Sequence, residues 1–302
     1  MAREIITMEE NKMSNTEKEK FDLSSMKQLI SQLGQKPLTE QPSFFSQSEP
    51  RPVNVQPPQQ PLVQQPQPLL EQPIEPIKKN NYRIPSGIPG LDEIIGGGFI
   101  PNTIVLVSGE AGTGKTLFCT QFIWNALCTG ENGVYITLQE TVDEIKKDVV
   151  FFGRDFGRAE QLGQCRIVQI EPQNMKDIVN TIIKNVREIK AKRLVIDSIT
   201  MICEYAEKRR DIRYSLSRLF REIKKMGVTT LAVSEIEEGS KAISRFGIEE
   251  FMVDGVIILK CGVDVGLGGK PRTLQVEKMR RTSHDLNIHP FEISERGIKI
   301  TA

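Results

Sequence analysis

The spacing of apolar side chains divides the chain in two. From Gln35 to Pro76 glutamine and proline dominate (NVQPPQQPLVQQPQPLLEQP), with too few large apolar groups to offset the entropy of ordering. Residues 1–80 are therefore expected to be a disordered tail with extended polyproline-like stretches. Within it, Leu23, Met26, Leu29, Ile30 and Leu33 would share one face of a short helix near 23–33, with Asp22 or Ser24 as cap and Gly34 as stop. Such a helix is too short to persist alone in water. It is either a docking element on a flexible tether, seeking a protein partner not named by the sequence, or part of a tail with no partner.

Residues 81–302 alternate between two periods. The run 103–107 (TIVLV) is continuous and β-branched, as in a strand buried on both faces, and Leu117, Phe118, Phe122, Ile123 and Ala126 then recur at helical spacing. Strands are expected at 133–138, 166–170, 193–197 and 228–233, with helices over 143–152, 175–189 and 207–226 between them. In the last helix Ile212, Leu216, Leu219, Phe220 and Ile223 form an apolar face, Gly227 is the stop, and Arg210, Arg218, Arg221, Lys224 and Lys225 form a solvated opposite face. From Val253 onward the short strands 255–260, 273–279, 291–293 and 298–300 follow without helices, which predicts an antiparallel extension. The segment 82–95, followed by Gly96-Gly97-Gly98, reads as a turn, a short helix and a flexible hinge. The fold class is α/β: one domain over 81–302, a mainly parallel sheet with helices on both faces, and an antiparallel C-terminal extension. No internal repeat is present.

Composition adds little to this picture. The 302 residues carry 40 Lys+Arg against 39 Asp+Glu, so the net charge of +1 gives no support to a dedicated duplex-binding protein. No apolar run is long enough to span a membrane and the first ten residues lack the apolar core of a signal peptide, so a cytoplasmic location is expected. Cys119, Cys128, Cys165, Cys203 and Cys261 form no C-x-x-C pair and are expected as reduced, mostly buried thiols.

Chemistry concentrates in Gly109-Glu110-Ala111-Gly112-Thr113-Gly114-Lys115-Thr116, which fits G-x-x-x-x-G-K-[ST] between a strand and the helix beginning near Leu117. Glycines let backbone amides wrap a phosphate, the Lys115 ammonium reaches the β and γ oxygens, and the Thr116 hydroxyl ligates Mg²⁺. The helix N-terminus adds its positive end. Arg193-Leu194-Val195-Ile196-Asp197 is an apolar strand ending in an acid, so Asp197 is the second candidate Mg²⁺ ligand. Ser234 and Glu235 end the strand 228–233 beside the same site. ATP and Mg²⁺ are the expected ligands.

Several stretches together resemble the KaiC family of RecA-like ATPases over roughly residues 82–302. They are Gly87-Ile88-Pro89-Gly90-Leu91-Asp92, the P-loop, Thr137-Leu138-Gln139-Glu140-Thr141, Ile196-Asp197-Ser198, Val233-Ser234-Glu235, Phe246-Gly247-Ile248-Glu249-Glu250, Lys278-Met279-Arg280-Arg281-Thr282-Ser283-His284 and His289-Pro290-Phe291. The resemblance implies a RecA-like fold and a ring, usually a hexamer, with ATP at subunit boundaries. It further implies that Lys278 and Arg280 reach a neighbour's γ-phosphate, that Met279, Thr282 and His284 lie near that boundary, and that Ser234 and Glu235 sense the γ-phosphate. The family usually places two adjacent glutamates after the second strand, the first acting as base for the attacking water. Here Gln139 stands first and Glu140 second. An amide orients water but accepts no proton at neutral pH, so either Glu140 acts as the base or hydrolysis is slow.

Three functions follow from these residues. The leading one is a weakly hydrolytic, nucleotide-gated signalling ring, with autophosphorylation known in the family. The second is a nucleic-acid-dependent ATPase using the basic loops at Lys208, Arg209, Arg210, Lys241 and Arg245, where Tyr205 and Phe246 are the interleaved aromatics. The third is a scaffold in which ATP is structural.

Overall fold

A computed structural model describes residues 82–171, 174–204, 208–262 and 271–301. The expected tail over 1–80, its helix near 23–33 and Tyr205 lie outside the described residues. Helix α1 (Leu91–Ile94) precedes β1 (Ile104–Gly109), α2 (Lys115–Cys128), β2 (Gly133–Thr137), α3 (Val142–Phe151), α4 (Phe156–Gln161), β3 (Cys165–Gln169) and α5 (Met175–Glu188). There follow β4 (Arg193–Asp197), α6 (Ile199–Glu204), α7 (Arg209–Met226), β5 (Thr229–Glu235), α8 (Glu249–Met252), β6 (Gly255–Cys261), β7 (Arg272–Met279), β8 (Ile288–Ser294) and β9 (Gly297–Ile300).

The strands form one sheet in the order β3-β2-β4-β5-β1-β6-β7-β8-β9. Strand β1 is central and fully buried, as its unbroken apolar run requires. Its alternate side chains enter two cores: Val105 and Val107 join Phe118, Phe122 and Ile145 from α2 and α3, while Ile104 and Leu106 join Ile182, Leu216 and Ile223 from α5 and α7. Helix α7 buries the five apolar positions expected of it and stops at Gly227, whose φ of 69° suits glycine. Helix α3 begins with a capping box, Thr141 and Glu144 bonding each other's backbone amides.

Two expectations are corrected. Strand β6 pairs parallel to β1, Val105 opposite Gly255, so the antiparallel extension begins one strand later, at β7. Residues 236–254 are long enough for the crossover a parallel partner needs, but only the short α8 is helical, so no apolar period marks it. Gly96-Gly97-Gly98 also form a closed turn rather than a free hinge: Ile84 and Phe99 exchange backbone hydrogen bonds of 2.8 Å across it.

The C-terminal strands fold back onto the P-loop helix. Gln121 of α2, buried, donates from Nε2 to the carbonyls of Gly87 (2.9 Å) and Ile298 (3.0 Å) and accepts from the Ile298 amide (2.9 Å). Nearer the C-terminal end of α2, buried Arg193 donates to the carbonyls of Pro85 and Phe122 and pairs with Glu131 at 2.9 Å. A buried charge is tolerated only when satisfied in this way. All five cysteines are free; Cys119, Cys165 and Cys203 are buried, Cys128 is exposed and Cys261 lies between.

Candidate active site

The P-loop leaves β1 at Gly109 and enters α2 at Lys115. A Cβ on Gly109 would lie 2.6 Å from the Leu259 carbonyl oxygen and 2.7 Å from Thr113 Oγ1, so the position admits only glycine. Gly114, at φ 96°, caps α2 with no side chain bonded to the first-turn amides. Those amides are left without a side-chain partner, and the helix end favours an anion. Inside the loop Glu110 O accepts from both Thr113 Oγ1 and Lys115 Nζ at 2.8 Å. Glu110 Oε1 accepts from the Gly239 amide at 3.0 Å, tying the loop to the segment after β5. Exposed Ala111 and Gly112 form its tip.

Parallel pairing brings the rest together. Strand β2 lies beside β4 with Thr137 opposite Asp197, so the Gln139-Glu140 turn after β2 faces the acid that ends β4. Asp197 Oδ2 accepts from Thr116 Oγ1 at 3.2 Å and from Tyr135 OH at 2.6 Å. Burial pushes the Asp197 carboxyl up, opposed by those two hydrogen bonds and by Lys115. Burial lowers the Lys115 ammonium, opposed mainly by Asp197 and Glu235. Glu140 is raised, first by desolvation and then by Asp197 and Asp148. Gln139 Nε2 donates to Glu235 Oε1 at 2.7 Å, linking the ends of β2 and β5.

These groups line a cavity of about 670 Å³ that includes Gly112, Gly114, Lys115, Thr116, Leu117, Gln139, Glu140, Asp197 and Glu235. Its charged lining comprises Lys115 and Lys147 against Glu140, Asp148, Asp197 and Glu235. A hydroxyl and a carboxylate oxygen within hydrogen-bond distance of one another are hard donors of the kind Mg²⁺ takes alongside phosphate oxygens and water. The residues present therefore fit the ion.

Sequence reasoning missed the outer wall, built from Lys147, Asp148, Val149, Phe151 and Phe152 of α3 and its end, and from Ile293 of β8. Phe151 is 75% exposed, and two adjacent phenylalanines closing an amphipathic helix were the available signal. Tyr135 was missed too. It sits mid-strand among apolar residues, where a phenol needs a buried partner.

Other expected site residues are placed elsewhere. Ser234 is fully buried and stands 3.4 Å from Glu249 Oε1, and it does not line the cavity. Lys278, Met279, Arg280, Thr282 and His284, on β7 and the turn after it, also lie outside the lining. Lys278 Nζ donates to the carbonyls of Glu250 (2.9 Å) and Val253 (2.8 Å), so it does not simply face solvent on an edge strand. Burial and neighbouring Arg280 lower its ammonium. Arg280 is 55% exposed, with Nη1 3.8 Å from Asp254 Oδ1. Met279 packs in the core against Gly255. Thr282 Oγ1 accepts from Arg83 at 2.8 Å, and His284 Nδ1 lies 3.3 Å from the Thr282 carbonyl.

The basic loops are partly occupied by their own contacts. Arg209 donates to the Phe246 carbonyl at 2.6 Å, Arg245 pairs with Glu237 at 2.5 Å, and Phe246 packs on the core. Lys208 and Lys241 are exposed.

A parallel sheet with a P-loop after its central strand, an acid closing β4 and an antiparallel C-terminal extension define a RecA-like P-loop ATPase fold. A family model described as "ATPase: KaiC" matches residues 84–302, and the chain belongs to that family. The UPF0273 protein of Thermotoga maritima is 38% identical over 72% of this chain and 95% of its own length. The circadian clock oscillator protein KaiC of Synechococcus elongatus is 34% identical over 70% of this chain, which spans only 43% of that protein. The crystal structure of a KaiC-like protein from Pyrococcus horikoshii is 41% identical, covers 73% of this chain and 99% of its own, and gives a TM-score of 0.67. No helix among the described residues is long and apolar enough to cross a membrane.

Proposed function

We propose that this chain is a Mg²⁺-dependent ATP-binding protein that hydrolyses ATP slowly and works as a nucleotide-gated ring in the cytoplasm. The observation carrying this reading is the convergence of Lys115, Thr116, Asp197, Glu140 and Glu235 on one cavity at the unblocked N-terminus of α2. The loop amides and Lys115 bind the β- and γ-phosphates, Lys115 exchanging the Glu110 carbonyl for a phosphate oxygen. Thr116 and Asp197 would hold Mg²⁺, which would supply positive charge beside the phosphate oxygens. Glu140, its carboxyl raised by burial and by Asp197, takes the proton of the attacking water. Gln139, fixed by Glu235, orients that water.

The cavity's own charges leave a role for a neighbouring subunit. Four carboxylates and two ammonium groups line it, so cations from outside favour a triphosphate there. Arg280, half-exposed and held loosely, is the residue assigned to reach across a subunit boundary, and Lys278 supports the same strand end or is released to join it. Homo-oligomerisation as a ring, a hexamer by family resemblance, follows from that need. The N-terminal tail carries the signal to a protein partner.

Mass measurement with and without ATP·Mg²⁺, paired with a turnover assay, tests this reading. Assembly that requires nucleotide together with slow phosphate release is the expected result. Intact rings with no turnover, in the native chain and in Glu140→Gln alike, would favour the structural-ATP scaffold.

A further inference from the structure

Helix α7 carries more positive charge than folding or the nucleotide site uses. Its 18 residues, RRDIRYSLSRLFREIKKM, hold seven basic side chains against two acidic ones. The apolar set Ile212, Leu216, Leu219, Phe220 and Ile223 is buried in the core behind the sheet. At 3.6 residues per turn, Arg210, Arg213, Tyr214, Arg218, Arg221, Lys224 and Lys225 fall on the opposite side within about 140° of the circumference. All seven are exposed, Tyr214 at 68%. Asp211 and Glu222 fall to one flank of that stripe.

Several of these cations have local partners. Lys224 pairs with Asp254 at 2.9 Å, Lys225 with Glu222 at 2.8 Å, and Arg210 stands 3.9 Å from Asp211. Among the described residues Arg213, Arg218 and Arg221 have no acidic partner within salt-bridge distance. Like charges at i,i+3 spacing repel and weaken an isolated helix, so this arrangement is not one that helix stability selects.

We propose that this face binds the phosphate backbone of a nucleic acid without reading base sequence. From Arg210 to Lys225 the stripe is about 22 Å long at 1.5 Å per residue, long enough to lie against several successive phosphates of a nucleic-acid backbone. Arginine predominates among the unpaired cations, and its planar fork fits phosphate oxygens in pairs. An acidic protein partner fits less well, because stable protein interfaces centre on desolvated apolar groups and Tyr214 is the only large apolar side chain in the stripe. A tyrosine among arginines instead offers a surface on which a base can stack. Apart from Arg210 at its N-terminal end, the surface is separate from the basic loops, where Arg209 holds the Phe246 carbonyl and Arg245 pairs with Glu237.

Fluorescence anisotropy with a labelled 30-nucleotide oligo(dT) and a labelled 30-base-pair duplex, at about 50 mM salt, tests the proposal on the full chain. Binding to at least one probe is expected, and the stronger of the two identifies single- or double-stranded backbone as the ligand. The triple reversal Arg213→Glu/Arg218→Glu/Arg221→Glu should weaken it at least tenfold. It should also flatten the plot of log affinity against log salt by about 2–3, at 0.7–0.9 per phosphate contact. The control Arg158→Glu/Lys299→Glu, with exposed cations on α4 and β9, should bind as the parent does. If the triple reversal lowers Tm, Arg218→Gln/Arg221→Gln replaces it, with a smaller loss expected in the same direction. No binding to either probe, equal binding by parent and α7 variants, or equally tight α7-dependent binding of poly-L-glutamate would overturn the proposal.

Discussion

The P-loop half of the sheet and its C-terminal extension hold their polar groups in different ways. Around β1, β2, β4 and β5 every polar group named as nucleotide-binding, apart from buried Ser234, stands in or beside one cavity, and neighbouring groups already engage each other: Thr116 with Asp197, Gln139 with Glu235, Lys115 with the Glu110 carbonyl. Along β7 and the following turn, Lys278 and Arg280 reach no part of that cavity and rest on Glu250, Val253 and Asp254. One region is organised to receive a ligand within the chain. The other holds cations whose assigned target lies on another copy. On the proposed reading, the difference separates nucleotide binding, assigned to one chain, from chemistry assigned to a boundary between copies.

The largest effect on this contrast is expected from Lys115→Ala. Removing a cation from a phosphate-bonded site costs about 2–5 kcal/mol, so ATP binding measured by nucleotide-displacement fluorescence should be lost, and nucleotide-dependent assembly with it. Arg280→Ala should do the reverse, leaving ATP affinity intact while lowering turnover by about 10³-fold or more, as loss of a finger in trans does. Parent-like turnover from Arg280→Ala would remove the extension from the chemistry and erase the contrast.

Glu140→Gln follows, with turnover expected to fall by about 10²–10⁴-fold. The pH profile sharpens this assignment. A base must be unprotonated, and burial with Asp197 and Asp148 raises the Glu140 carboxyl above its ordinary 4.5. Turnover should therefore decline as pH falls, with a midpoint above 4.5, and Glu140→Gln should lose that acid limb. The smallest effect is expected at Phe151→Ala. Removing an exposed aromatic from the cavity wall should weaken ATP by about 1 kcal/mol and leave tripolyphosphate binding unchanged, which calorimetry with both ligands would separate.

Much of the cradle was legible because its chemistry is local. Gly109 to Thr116 are contiguous, and the strand 103–107 and the helix after it announce themselves by period. Asp197 was legible only in company: an aspartate ending an apolar strand is common, and the P-loop upstream in an alternating α/β chain gave it weight. Tyr135 was not, since one tyrosine in GVYIT reads as a strand former, and only the β2–β4 register puts its hydroxyl on Asp197. Phe151 and Ile293 became wall residues through packing of α3 and of β8, which no spacing encodes. The parallel direction of β6 was missed for a related reason: its crossover, residues 236–254, is stabilised by polar contacts to Ser108, Glu110 and Glu249 in place of an apolar helix face. The positions of Lys278 and Arg280 were not readable as a site at all, because resemblance supplied their role and neither geometry nor spacing within one chain does.

The central claim is that one chain's cradle grips ATP and magnesium together. Calorimetric titration of the folded full chain with ATP, with Mg²⁺ and with excess chelator, tests it most directly. Saturable heat that requires Mg²⁺ for full affinity, and an Asp197→Asn variant that loses the Mg²⁺ dependence, is the predicted result. Folded protein giving no heat with ATP·Mg²⁺, or the same heat with chelator as with the metal, would contradict it.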